Sequence, residues 1–463
     1  MKKKLLEKNL EKLSKQGALR FHMPGHKGKN ILKKENWGAL DFTEIPGSDN
    51  LHHPEGIIKT VQEKLACIYG SEEACILVNG TTTGLQSAIM GVCREGDSLL
   101  IPLNCHRSVF GGLALGRVRG VYFAPESDPL LGVGKRITVE QVKIQTQAHP
   151  EVKGMLLVNP TYYGTTSDVK AIAEHLHREG KILIVDEAHG AHLKFSKALP
   201  EDAVSAGADI VVQSTHKILG ALTQSSLLHF QGDRVDRSRV KRFLSVLQSS
   251  SPSYLLMMSV ENAVDEAFEK GAAIFGEIAT QWDHYQTIGD QGQLLTLYTP
   301  EDGSPYDKSK WLFHVGDHKG MAIDEMLRTE YNIQTELSGE NHLLAMTGMG
   351  TTPEDLEQLM KVVEAINHKI PIRHLENPTQ PIKLEIDYEE SIPIWEALYN
   401  KDSQRIPLEE AENKIAADFV IPYPPGIPVL LPGMYITREM IAYLQSIEGE
   451  IIGIDGGIPV IKE

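Results

Sequence analysis

The sequence predicts an α/β fold: a large domain on a mostly parallel sheet, with smaller C-terminal α+β domains. Two observations carry this expectation. Between about residues 60 and 230, short apolar runs alternate with helical stretches; the runs are 74–78, 98–101, 155–158, 182–185 and 209–212. They lack the polar alternation of a half-exposed sheet, and strands buried on both faces read this way under the helices of a parallel sheet. The second observation is that each run leads into a polar cluster. These are Asn79-Gly80-Thr81-Thr82-Thr83-Gly84, Asn104-Cys105-His106, Asn159-Pro160-Thr161-Tyr162-Tyr163-Gly164, Asp186-Glu187-Ala188-His189-Gly190 and Gln213-Ser214-Thr215-His216-Lys217. Ligands of open α/β sheets bind beyond the carboxyl ends of the strands, so five clusters at five strand ends point to one converging site.

The remaining elements follow in chain order. Leu5, Leu6, Leu10 and Leu13 alternate with Glu and Lys at helical spacing, which predicts an amphipathic surface helix rather than a secretory segment. After about residue 290, segments 311–315 and 343–346 read as strands. A helix is expected from Pro353 to about Ile366, with Thr352 as N-cap and proline in the first turn, where its missing N–H goes unused. The proline-containing stretch 371–381 reads as a linker, and a last segment contains Pro422-Tyr423-Pro424-Pro425-Gly426. The expected division is an N-terminal arm and substrate-side segment (1–55), a large α/β domain (56–290), a small α+β domain (291–372) and a C-terminal domain (373–463).

Bulk properties exclude several function classes. A chain of 463 residues exceeds one compact core and calls for two or three domains. Its net charge of −16 argues against nucleic-acid binding. Its longest apolar runs fall well short of the roughly 18 residues a membrane span needs. Cys67, Cys75, Cys93 and Cys105 form no C-x-x-C pair and no disulfide framework, which suits a reducing cytoplasm. The pairs His52-His53 and His175/His177 lack matching Cys or carboxylate spacing, so no metal site is expected. Cys105 reads as a buried thiol, and the glycines of 111–120 are no dinucleotide fingerprint.

Taken together, the clusters fit pyridoxal phosphate (PLP) chemistry. This cofactor needs a lysine for covalent attachment, an anion beside its pyridine nitrogen, donors for a dianionic phosphate and a flat group against its ring. Lys217 follows a buried strand beside Ser214 and His216. Asp186 ends the strand Ile-Leu-Ile-Val. Gly80, Thr81 and Thr82 stand between a strand and an apolar helical run, where backbone N–H groups and hydroxyls can cradle a phosphate. His106 can stack on a ring.

The combined pattern resembles the bacterial Orn/Lys/Arg decarboxylases. Ser214-Thr215-His216-Lys217 followed by Leu222-Thr223-Gln224-Ser225-Ser226 is similar to that family's PLP-attachment signature. Further matching stretches are Phe21-His22-Met23-Pro24-Gly25-His26-Lys27-Gly28, Asn79-Gly80-Thr81-Thr82, Asn104-Cys105-His106-Arg107-Ser108, Val185-Asp186-Glu187-Ala188-His189-Gly190, Ser251-Pro252-Ser253-Tyr254 and Tyr423-Pro424-Pro425-Gly426-Ile427-Pro428. They span nearly the whole chain in family order and match the short branch, which lacks the N-terminal receiver-like domain.

The resemblance implies the aspartate-aminotransferase-like fold (fold type I), a homodimer or dimer-based oligomer, and removal of the α-carboxylate from arginine, lysine or ornithine. Carried over by position, Lys217 holds the cofactor, Asp186 faces the pyridine nitrogen and His106 stacks on the ring. Gly80, Thr81, Thr82, Ser214 and His216 serve the phosphate or its surroundings, and Ala188 and His189 line the ring. Lys217 or His216 returns a proton to Cα, and Ser250 or Ser251 reaches a neighbouring subunit's phosphate. Two positions depart from the family pattern. Met434 stands where the family has an acidic residue after Pro-Gly, and Asn50 replaces a second acidic residue. Asp49, Glu44 and Glu55 are the candidates to compensate; otherwise the substrate is a different amino acid. Another PLP reaction on this fold, or PLP binding without turnover, remains an alternative at this point.

Overall fold

The computed structural model describes residues 5–29, 36–128, 130–288, 294–316, 318–370, 390–423, 427–447 and 450–462. Residues 371–381 and Pro424, Pro425 and Gly426 of the expected linker and C-terminal motif lie outside them.

A seven-stranded sheet organises the large domain. Its strands are β1 (Glu73–Leu77), β2 (Ser98–Pro102), β3 (Arg119–Phe123), β4 (Gly154–Val158), β5 (Ile182–Asp186), β6 (Ile210–Gln213) and β7 (Ser226–Phe230), in the spatial order β1-β7-β6-β5-β4-β2-β3. Strands β2 to β6 pair parallel, while β7 runs antiparallel to both β1 and β6. The five runs singled out by apolar character are all strands. The sequence reading missed β3 and β7. β3 opens with the exposed Arg119 and is only half-buried along most of its length, as an outermost strand. β7 is wholly buried but carries Ser226 and His229, which interrupt its apolar run.

Helices cover both faces of the sheet. Helix α1 spans Leu5–Lys15, α2 Ile57–Tyr69, α3 Gly80–Val92, α4 Arg107–Gly116, α5 Val139–Ala148, α6 Val169–Arg178, α7 Arg237–Leu247 and α8 Tyr254–Ile288. One apolar cluster lies between β1, β7 and helices α3, α4 and α7, through Leu77, Ile89, Phe110, Val212, Leu228 and Val240. Another lies on the opposite face around Leu100, Ile172, Leu183 and Val211. The sheet is dry on both sides, the physical reason its strands show no alternation.

A second, antiparallel sheet follows, with β8 (Thr296–Leu297), β9 (Lys310–His314), β10 (Leu337–Ser338) and β11 (His342–Met346) in the order β10-β11-β9-β8. Helix α9 spans Gly320–Glu330. Helix α10 spans Pro353–Lys369 and opens with a complete capping box between Thr352 and Asp355. The C-terminal residues form paired strands around a core containing Val420, Leu430, Ile436 and Met440. Their Ile394, Leu431 and Met434 dock onto the cluster that includes Phe110 of α4.

The N-terminal segment joins these parts. Leu19 and Arg20 pair parallel with Ile333 and Gln334. Phe21 O accepts from Met346 N at 2.8 Å, Gly25 N donates to His216 O at 3.1 Å, and Gly350 N donates to Gly25 O at 2.9 Å. A Cβ on Gly25 would stand 2.3 Å from the Ile218 carbonyl oxygen, and one on Gly348 would stand 2.8 Å from the same atom. Three backbone segments from distant parts of the chain therefore meet at the loop that carries Lys217, at a spacing only glycine permits.

Candidate active site

Parallel strands place their loops at one end of the sheet, and the five polar clusters emerge there. Asp186 is the last residue of β5 and points opposite to Glu187, as successive strand residues do. Glu187 turns into the protein, where it accepts from Ala203 N and Gln213 Nε2 at 2.8 and 2.7 Å. Asp186 is 4% exposed, and its Oδ1 accepts the Ala188 N–H at 3.1 Å. Burial raises its pKa, against the opposing pull of the Lys217 charge and the Ala188 N–H. A carboxylate offers about four acceptor sites, so Asp186 retains capacity for a cationic N–H donor.

Lys217 follows β6 by four residues. Its Nζ lies 2.9 Å from His189 Nε2. Burial is the main force lowering Lys217 to about 8; Asp186 raises it, Lys310 lowers it and Glu336 raises it. His189 is held well below its ordinary value by burial first and then by the nearby cations, led by Lys217 and Lys310. The neutral ring accepts from the Lys217 ammonium through Nε2, which leaves the proton on Nδ1. That atom is buried without a hydrogen-bond partner. The His189 ring packs against Tyr162, with centroids 4.6 Å apart.

His216 Nδ1 lies 2.8 Å from the Ser225 carbonyl oxygen. A carbonyl only accepts, so Nδ1 carries the proton and Nε2 the lone pair. Burial lowers His216 to about 4, the Ser225 carbonyl works against this, and Lys217 adds to it. His106 is the N-cap of α4. Its Nδ1 accepts the Ser108 N–H at 3.2 Å, which fixes Nε2 as the protonated nitrogen. Its ring keeps solvent contact, while the surrounding protein, then Lys217 and Arg107, disfavour its charged form.

The start of α3 faces the same region. Asn79 is its N-cap but makes no side-chain cap; its Oδ1 accepts from Ser249 N at 3.3 Å instead. Gly80 N donates to Gln224 O at 2.9 Å, and Ser214 Oγ donates to Thr81 Oγ1 at 3.3 Å. Thr82 is exposed. Beyond the Gly80 N–H, which is taken by Gln224 O, the first-turn N–H groups are not consumed by a side-chain cap, and the positive end of the helix is available to an anion.

These residues fit PLP. Asp186 is a buried carboxylate with spare acceptor capacity, Lys217 is a buried amine, and α3 presents an uncapped N-terminus beside two hydroxyls. Asn159, whose backbone N–H donates to Asp186 O at 3.0 Å, keeps its Nδ2 buried without a partner. That is a donor suited to a ring oxygen. Among the described residues, no group of three or more His, Cys, Asp or Glu side chains is arranged to hold a metal ion.

The sequence-derived residues Gly80, Thr81, Asp186, Ala188, His189, Ser214, His216 and Lys217 thus surround one region, with Thr82 and His106 at its exposed side. Ser250 and Ser251 are exposed on the connection between α7 and α8. Met434 is 1% exposed in an apolar cluster, where a charge would be unpaired. Asp49 spends its carboxylate on N–H groups at the start of α2, those of Gly56 and Ile58 among them. Glu55 pairs with the exposed His53. Sequence reasoning placed Tyr162 in a strand-end cluster without giving it a role, and did not single out Glu336 or Lys310. Glu336 accepts from Tyr162 OH at 2.6 Å and from Met23 N at 2.8 Å. Lys310 is fully buried, and its Nζ lies 3.7 Å from Asp307. Only the buried lysine left a usable trace, as a cation heading the strand Trp-Leu-Phe-His.

Comparison with known proteins agrees with this arrangement. The family description "Orn/Lys/Arg decarboxylase, major domain" matches residues 5–319, and "Orn/Lys/Arg decarboxylase, C-terminal domain" matches residues 388–452. The chain is 33% identical to an arginine decarboxylase of Bacillus subtilis over 468 residues, covering 97% of this chain and 94% of the relative. It is also 33% identical to an arginine decarboxylase of Bacillus cereus, covering 93% and 96%. Among solved structures, the lysine decarboxylase of Francisella novicida superposes with a TM-score of 0.76 at 21% identity, over 95% of this chain and 78% of that one. An alanine–glyoxylate aminotransferase from Nostoc sp. gives 0.58 at 15% identity, over 75% and 95%. The fold is that of the aminotransferase-like enzymes.

Proposed function

Because the chain belongs to the Orn/Lys/Arg decarboxylase family, we propose that it is a PLP-dependent decarboxylase that converts a basic amino acid, arginine foremost, to its amine and CO2. The observation that carries this reading is the juxtaposition of the Lys217 amine, the buried Asp186 carboxylate and the uncapped start of α3 at one end of the sheet. Arginine comes first because the relatives similar over nearly the full chain carry that name.

PLP, when bound, supplies an electron sink for the pair released as the bond from Cα to the carboxylate breaks. Lys217 would hold the cofactor through its amine. Asp186 holds a positive charge opposite itself in a dry site, where its field is strong. Thr81, Thr82, Ser214 and the first N–H groups of α3 bind the phosphate, and His106 covers the site from its open side. Ala188 and His189 form the wall beside Asp186, with His189 Nε2 orienting the Lys217 amine. CO2 leaves and one proton replaces it at Cα, delivered by Lys217 Nζ, poised near 8; His216, expected from the sequence as an alternative donor, has its proton on Nδ1 against the Ser225 carbonyl and offers only a lone pair at Nε2. The substrate's distal cation is bound by groups other than Met434.

We assign the enzyme to the cytoplasm and to polyamine formation, as a homodimer. The free cysteines, and the absence among the described residues of a helix long and apolar enough to cross a membrane, support the first. The exposed Leu6, Leu10, Leu13, Phe42 and Ile45 support the last. The test is incubation of the PLP-loaded protein with a panel of amino acids, following CO2 and identifying the amine by mass spectrometry. Amine from arginine, lysine or ornithine, lost in Lys217→Ala, is the expected result. No CO2 from any substrate overturns the reading.

A further inference from the structure

The carboxylate of Glu336 stands where three parts of the molecule meet. Glu336 immediately precedes β10 of the small domain, and its backbone N–H donates to Leu344 O at 2.9 Å. Its Oε2 accepts Met23 N from the N-terminal segment, 313 residues away in sequence, at 2.8 Å. Its Oε1 accepts the Tyr162 hydroxyl from the large domain, 174 residues away, at 2.6 Å. Hydroxyl-to-carboxylate contacts this short are charge-assisted and roughly twice as strong as neutral ones. Tyr162 in turn packs on His189 at 4.6 Å with the rings inclined by 55°, and His189 Nε2 meets Lys217 Nζ at 2.9 Å. A continuous line of contacts therefore runs from the small domain to the reactive amine.

We propose that Glu336 is a positioning residue for Lys217, acting through Tyr162 and His189 and tying their alignment to the seating of the small domain and the N-terminal segment. This rests on the decarboxylase reading for its consequence in catalysis. The chemistry of each link supports it. The neutral His189 ring has no cap or backbone bond at Nδ1 to fix its angle, so the Tyr162 ring beside it takes that role. Tyr162 is aimed by its hydroxyl, which the Glu336 carboxylate captures. The same negative charge faces the cations Lys27, Lys217 and Lys310 and offsets their mutual repulsion.

A mere clamp between domains would alter melting temperature and leave the chemistry of Lys217 untouched. The test therefore uses Tyr162→Phe, Glu336→Gln and Glu336→Ala with three readouts. One is the pH titration of the visible absorbance of the PLP-loaded protein. The second is the pair kcat and KM for the basic substrate. The third is the pH dependence of Lys217 acylation by a lysine-directed reagent in the full chain stripped of cofactor, mapped by mass spectrometry. The expected result is a shift of both titrations by about half a unit or more, and a loss in kcat of about tenfold with KM little changed. Glu336→Gln, which still offers Tyr162 an acceptor, should retain more activity than Glu336→Ala. If Tyr162→Phe and Glu336→Ala leave the titrations unmoved and kcat within about twofold, the positioning role is wrong, whatever the melting temperature does. Absence of CO2 release by wild type would sink the functional reading alone, because the acylation profile still decides the link from Glu336 to Lys217.

Discussion

Lys217 Nζ and His189 Nε2 face each other at 2.9 Å although they belong to different strand-end loops. His189 lies three residues beyond Asp186 at the end of β5, and Lys217 four residues beyond Gln213 at the end of β6. Those strands are parallel neighbours, with Val185 opposite Val211 and Asp186 opposite Val212. Parallel pairing puts both loops at the same end, and the register sets both side chains at one depth.

Replacing Lys217 with alanine should leave the fold intact and reduce amine formation by on the order of a thousandfold or more, because attachment and proton handling are lost together. Mass spectrometry of the borohydride-treated wild type should place the cofactor's mass on the peptide containing Lys217.

Asp186→Asn keeps the shape and an acceptor for the Ala188 N–H but removes the charge. We expect kcat to fall about a hundredfold, in line with loss of a preorganised electrostatic group, with cofactor retained by equilibrium dialysis. Activity within a few-fold of wild type would remove Asp186 from its assigned role.

Ser214→Ala and Thr81→Val each remove a hydroxyl at the start of α3. A hydrogen bond nets about 0.5–1.5 kcal/mol, so the Kd for PLP should rise roughly two- to tenfold in each variant, read by fluorescence quenching. The effect on kcat at saturating cofactor should be smaller.

The cofactor-free chain should lose stability in acid through its buried histidines. Burial chiefly holds His216 and His342 near 4 and His229 near 3, whereas unfolded histidine titrates near 6.5. As pH falls from 6.5 to 4 the unfolded chain takes up protons the fold refuses, so unfolding becomes easier, by about 1.4 kcal/mol per residue and pH unit at most. The depressed lysines carry the same sign at higher pH. Lys27, near 7, and Lys217, near 8, favour the fold increasingly as pH rises through those values toward 10.5. Urea titrations across pH should show the acid slope, and His229→Gln should flatten it.

Asp49→Ala should cost about 1–2 kcal/mol in urea unfolding, as loss of a helix N-cap does. Its carboxylate accepts the N–H groups of Glu55, Gly56 and Ile58. Burial raises its pKa, but the N–H groups of Glu55, Asn50, Gly56 and Lys59 outweigh it and lower the carboxyl to about 2. Substrate preference should be unchanged, since that carboxylate is already committed to α2.

Much of the large domain was legible because its strands are buried on both faces and so read as unbroken apolar runs. β3 and β7 escaped for separate reasons: one is only half-buried along much of its length, and the other carries Ser226 and His229 inside a fully buried strand. The candidate-site residues at the ends of β1, β5 and β6 were legible because polar side chains directly after apolar runs have few other reasons to cluster. Glu336 was not, since a glutamate beside short strands in a later domain resembles any surface carboxylate until its partners are known; Tyr162 stood in a strand-end cluster, but nothing in the sequence set it apart from its neighbours.

The sequence alone determined five of the seven strands of the large sheet, the Thr352 cap of α10 and the chemical identity of the groups at the strand ends, because burial and capping are local demands written residue by residue. Only the tertiary structure decided which of those groups face one another. It set Lys217 against His189, pressed Gly25 onto the Ile218 carbonyl, and turned Met434 into an apolar core. Contacts between residues hundreds of positions apart depend on packing and register, and neither is encoded in any one stretch of chain.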